Sequence, residues 1–147
     1  MQLSKFKGYL YFILQMIFLV SFLFAGLVKP TSFYYGLFES LGILLGIWAI
    51  NVMTRKNLSL LPFVKPHASL IVAGPYKYIR HPMYSAIILA FLPVLINHFN
   101  IVRCIIFILL LFTLLIKLRF EESLLEKKFE GYNSYKANTS RIIPFIF

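Results

Sequence analysis

The stretch Pro82–Leu118, PMYSAIILAFLPVLINHFNIVRCIIFILLLFTLLIKL, decides the fold. It contains two apolar runs, 82–97 and 101–118, joined by the polar turn Asn97-His98-Phe99-Asn100. Up to Ile116 the stretch carries one charge, Arg103. Runs of this length and uniformity suit the hydrocarbon of a bilayer, where a helix must satisfy its own backbone and expose only apolar side chains. Pro82 fits a first helical position, where its missing N–H costs nothing. Pro93 lies inside the run and predicts a kink. A turn this short makes the two runs an antiparallel hairpin. Residues just before Pro82 and just after Leu118 therefore return to the same side of the membrane.

Two further runs lie towards the N-terminus, Tyr9–Val28 and Phe33–Met53. Twenty residues at about 1.5 Å each span roughly 30 Å, one hydrocarbon thickness. The first run is long for a signal peptide and is followed by others, so it reads as a retained helix. The expected architecture is an all-α integral membrane protein forming a single transmembrane domain over 1–147. Its four spans cover about 9–28, 33–53, 82–97 and 101–118. Residues 119–147 form a cytoplasmic helical and interfacial tail that completes the site. The 55–80 connection is basic and broken by Pro62, Pro66, Gly74 and Pro75.

Composition agrees. The chain is 60% hydrophobic with a mean hydropathy of +0.81, above the apolar share of ordinary soluble domains. Its net charge is +10. Of its 15 lysines and arginines, all but Lys29 and Arg103 fall on one side of the expected spans. The positive-inside rule then puts both termini in the cytoplasm and accounts for the charge without nucleic acid. Cys104 stands alone, which excludes an internal disulfide, and no ligand cluster suggests a metal. Gly42-x-x-x-Gly46 is a small-xxx-small face that lets helices approach closely and offers an oligomer contact.

The hairpin brings two polar segments together. One is Gly74-Pro75-Tyr76-Lys77-Tyr78-Ile79-Arg80-His81-Pro82-Met83-Tyr84; the other begins at Lys117 and holds Glu121, Glu122, Glu126 and Glu130. Free N–H groups at a helix start, with Arg80 and His81, suit a carboxylate or phosphate. Glu121 or Glu122 suits a cation, and Tyr76, Tyr78 and Tyr84 suit a planar base or a sulfonium. S-adenosylmethionine has all of these parts. Lys117 and Glu121, four apart, share one helix face, whereas Arg119 points elsewhere.

These residues also resemble a known family. Gly74-Pro75-Tyr76, Arg80-His81-Pro82-x-Tyr84, Glu121-Glu122-x-x-Leu125-x-x-x-Phe129, Tyr132-x-x-Tyr135 and Arg141-x-x-Pro144 are similar to the isoprenylcysteine carboxyl methyltransferases and their phospholipid methyltransferase relatives. The resemblance covers about Leu70 to Pro144. It implies S-adenosylmethionine as methyl donor and a lipidic acceptor in the membrane. It places the cofactor on His67, Ala68, Ser69, Leu70 and Ile71, on Tyr76, on His81 through Tyr84, and on Glu121. The family's substrate-side arginine falls on Lys117, and Lys117, or Arg119, is expected to hold the acceptor, with Glu121 the third catalytic residue. Departures are Ala86 where the family often has Gly, Phe129-Glu130 in place of Phe-Gly, and Lys117 itself, which keeps the charge without the bidentate fork. The acceptor stays open between a prenylated cysteine, a phospholipid amine and another lipid acid. A nicotinamide-dependent lipid reductase and a non-catalytic membrane partner protein also stay open.

Overall fold

The computed structural model describes residues 2–24, 30–53, 57, 63, 65–144 and 146. Helix α1 spans Gln2–Phe24, α2 Phe33–Val52, α3 Pro82–Asn97, α4 Ile101–Lys128 and α5 Tyr132–Ala137, with one 3-10 turn at Gly74–Lys77. The expected end of the first span at 25–28, Lys29 after it, and Arg55, Lys56 and Pro62 of the connection lie outside the described residues.

Among the described residues, α1, α2 and α4 are long and apolar enough to cross a membrane. Helix α3 is equally apolar but has 16 residues, roughly 24 Å of helix. It starts at Pro82 and stops at Asn97, as the sequence predicts. Helix α4 continues without a break for ten residues past Leu118, the expected end of the apolar span. The Glu121–Lys128 stretch consists mostly of good helix formers, so nothing ends the helix when the apolar run ends. Asn100 caps its start, accepting from the Val102 N–H at 2.8 Å.

Helices α2 and α3 pack closely, and α1 lies against α4. Tyr84, Leu110, Leu114, Leu118 and Ile142 form one buried cluster and Phe22, Leu95 and Phe107 another. Outside them, Ile43, Leu44, Ile47, Ile105, Ile108 and Phe112 are exposed, a belt of apolar surface suited to lipid.

Helices α2 and α3 come close at Gly42, where a Cβ would lie 2.6 Å from the Ala90 nitrogen and 2.9 Å from the Ala86 oxygen. At Gly46 a Cβ would meet the Ala86 methyl at 3.4 Å. The small-residue face lets two helices approach closely, as expected, and its partner is α3 of the same chain. Gly42→Ala is expected to push α2 off α3 and cost about 1–3 kcal/mol. Gly46→Ala should be neutral or slightly stabilising, since it also removes the glycine penalty of a helix interior. Thermal unfolding of both variants in detergent measures the contrast.

The segment after α5 folds back on the start of α3. Arg80 N–H donates to the Ser140 carbonyl at 2.8 Å, His81 N–H to Arg141 at 3.0 Å, and Ser140 N–H to Tyr78 at 3.1 Å. The Ser85 hydroxyl donates to the Ile142 carbonyl at 2.6 Å. The tail expected to complete the site is a strap fastened by its backbone to the start of α3.

Candidate active site

A cavity opens where the start of α3 meets the polar end of α4. Its walls come from four places: residues 68–71, Tyr76 and Arg80–Tyr84, the α4 face of Lys117, Glu121, Leu125 and Phe129, and Tyr132 with Tyr135. Each is held by local chemistry. Gly74, at φ +58, turns the chain where a side chain would be strained. Asn57 ties down Ser69, accepting from its N–H at 2.8 Å and donating to its carbonyl at 2.9 Å. Lys128 donates to the carbonyls of Lys65 and Pro66 at 2.6 and 2.9 Å.

Glu121 and Glu122 are neighbours with different surroundings. Glu121 faces the cavity: its Oε2 accepts from the Tyr84 hydroxyl at 2.7 Å and lies 3.7 Å from His81 Nδ1. Its Oε1 lies 3.6 Å from Lys117 Nζ. The rings of His81 and Tyr84 stack 5.2 Å apart at 9°. Glu122 sits behind this wall. It accepts from Arg80 Nε at 2.7 Å and Arg141 Nε at 3.2 Å. Burial alone would raise its carboxyl; the His81 and Arg80 side chains outweigh that and hold it at about 2. Arg80 also donates from Nη1 to the Lys136 carbonyl at 2.9 Å and to the Thr139 carbonyl. It fastens the strap.

The residues singled out in the sequence thus divide. Ala68, Ser69, Leu70, Ile71, Tyr76, Arg80, His81, Pro82, Met83, Tyr84, Lys117 and Glu121 all line the cavity. His67 and Arg119 are exposed and lie outside the lining, and Glu122 is enclosed behind it. Tyr132 and Tyr135 line the cavity although sequence reasoning left them out of the site; the Tyr-x-x-Tyr spacing was their signal. Met53, Asn57 and Phe63 also line it, and no sequence pattern marked them. Gln15 was missed as well: its Oε1 accepts from Lys117 Nζ at 2.7 Å.

The wall suits a zwitterionic, partly planar ligand. The hydroxyls of Tyr76 and Tyr132 are buried with no hydrogen-bond partner among the described residues. Burial, with nearby negative groups, pushes both phenols up, so both stay protonated donors at neutral pH. Donors left unpaired at a cavity wall are what a ligand with hydroxyl, carboxylate and ring-nitrogen acceptors would satisfy. Glu121 adds a carboxylate for an ammonium or sulfonium group, and the aromatic faces beside it suit an adenine. S-adenosylmethionine fits this donor set.

A sequence model of the phospholipid methyltransferase family matches residues 31–131. No curated protein and no solved structure gives a match. The matched stretch runs from α2 through α4 and includes most of the cavity wall, leaving α1, α5 and the strap outside. The match decides for methyl transfer over the reductase and non-catalytic readings, and the chain belongs to the phospholipid methyltransferase family, as a membrane enzyme that uses S-adenosylmethionine.

Proposed function

We propose that this chain methylates a carboxylate on a lipidic acceptor, of the isoprenylcysteine type, at the cytoplasmic face of the membrane. The chain crosses the bilayer four times with both termini in the cytoplasm, and residues 119–147 complete the cofactor site. The observation that carries this reading is Lys117, a lysine 5% exposed in the cavity wall beside Glu121. A buried cation favours an anionic partner and disfavours an ammonium.

S-adenosylmethionine supplies an electrophilic methyl group when bound. Tyr76, His81–Tyr84, residues 68–71 and Glu121 hold it: the carboxylate of Glu121 attracts its positive groups, and the tyrosines donate to its oxygens and stack on its base. Lys117 orients the acceptor carboxylate. That nucleophile is already ionised, so no general base is required, and catalysis is mainly proximity and orientation.

An amine acceptor is the second reading, favoured by the family's phospholipid substrates and by Glu121, which could take up an ammonium proton. Two experiments test the pair. Calorimetric titration of the purified protein is expected to show binding of S-adenosylmethionine and its demethylated product and none of NADPH. Transfer of labelled methyl is then expected to an S-prenylated cysteine acid and not to phosphatidylethanolamine. Labelling of the amine alone would overturn the carboxylate reading.

A further inference from the structure

Gln15 lies in α1, outside the stretch that the family model matches. It is 7% exposed, within the uncharged part of the helix. A buried amide in a membrane-crossing helix is costly unless it is bonded, and α1 needs no amide to pack on α4, since Phe18, Leu19 and Phe22 fill the two cores. The bond it makes is to Lys117 Nζ, across 102 positions of sequence.

The geometry around that ammonium is uneven. Gln15 Oε1 is at 2.7 Å, whereas Glu121 Oε1, one turn along the same helix, is at 3.6 Å. An ammonium and a carboxylate in direct contact close to about 2.7–2.9 Å. A lysine stem can cover the difference, so the ammonium is being held back. Held there, Nζ lies 5.4 Å over the Tyr84 ring, while Glu121 keeps Oε2 for the Tyr84 hydroxyl. Without Gln15, the nearest partner for Lys117 is Glu121, and closing that pair would neutralise both groups.

We propose that Gln15 is a positioning residue that holds the Lys117 ammonium off Glu121 and available to an anionic headgroup, so that it sets the charge class of the acceptor. The proposal rests on the reading that Lys117 faces the acceptor. It assigns to α1, an element outside the family-matched stretch, the selection of a carboxylate over an amine.

The test uses the full chain in lipid nanodiscs, with an S-prenylated N-acetylcysteine and phosphatidylethanolamine as acceptors. Gln15→Met keeps the side chain's length and shape in apolar surroundings. It is expected to raise the KM for the prenylated acid about tenfold and, because Lys117 then draws on Glu121, to weaken S-adenosylmethionine binding by a smaller factor, with kcat within about twofold. Gln15→Asn, whose amide oxygen the lysine stem can follow, should fall between. In a Lys117→Met background, Gln15→Met should add nothing, because the two residues act as one unit. An unchanged KM in Gln15→Met, or equal losses in kcat, KM and cofactor affinity that multiply with those of Lys117→Met, would overturn the positioning role. If the wild-type protein methylates only phosphatidylethanolamine, the carboxylate reading falls separately. On that amine, release of Lys117 onto Glu121 relieves repulsion, so positioning predicts a lower KM in Gln15→Met, and no change there overturns it.

Discussion

Glu121→Ala is expected to abolish S-adenosylmethionine binding while the helices stay folded. The carboxylate faces the cavity, holds the Tyr84 hydroxyl at 2.7 Å and balances Lys117 and His81. Removing it deletes the site's negative charge and leaves a buried lysine beside a phenol without its acceptor. Loss of a charge-assisted contact in such a site amounts to about 3 kcal/mol, or roughly a hundredfold in affinity. Glu121→Gln separates the two effects: it still accepts from Tyr84 but has no charge, so it should fold like wild type and bind the cofactor weakly. Calorimetric titration with circular dichroism reads both. Tight binding by Glu121→Ala would remove this residue from the site.

Arg80→Met should cause the largest loss of stability. Arg80 is 9% exposed, bonds Glu122 at 2.7 Å and also holds the carbonyls of Lys136 and Thr139. Methionine fills the volume but leaves Glu122 enclosed, 3% exposed, with His81 at 3.6 Å and the partly exposed Arg141 as its remaining partners. Breaking a buried pair from one side costs about 3–5 kcal/mol. Thermal unfolding in detergent should show the loss, and hydrogen exchange should show the Ser140 and Arg141 amides opening first.

The same pair has a pH signature. The Glu122 carboxyl is lowered from 4.5 to about 2 on folding, so its contribution is fully present above 4.5. It falls away as pH drops through that interval to about 2. Acid unfolding of the wild type should therefore steepen below pH 4.5, and Arg80→Met should flatten that limb in part, since His81 also lowers the carboxyl. Equal slopes would show that Arg80 has no share in that lowering.

The hairpin was legible because its signals are local: Pro82 starts α3, Asn100 caps α4, and the turn between them is too short for any other arrangement. Hydropathy measures the apolar run and not the helix, so it could not give the end of α4. Glu121 and Lys117 were legible because their spacing of four fixes a shared face. The separate roles of Glu121 and Glu122 were not, because they depend on what packs behind α4: Arg80 from one segment and Arg141 from another. Gln15 stood in the sequence as an amide in an uncharged run, which is a signal for function in a membrane helix. Its partner lay 102 residues away and only packing of α1 on α4 could name it. The tail was read as interfacial because its aromatic residues suit a headgroup layer; its backbone bonds to 78–81 leave no trace in side-chain pattern.

Those backbone bonds give the enzyme a place in time as well as in space. Arg80 and the Thr139 that it holds are 59 residues apart. At roughly 5–20 residues per second of translation, several seconds separate their arrival at the membrane. During that interval α1 to α4 can already sit in the bilayer while the pocket lacks Tyr132, Tyr135 and the strap that fixes His81. A chain ended before Tyr132 would lack that part of the pocket wall together with the strap.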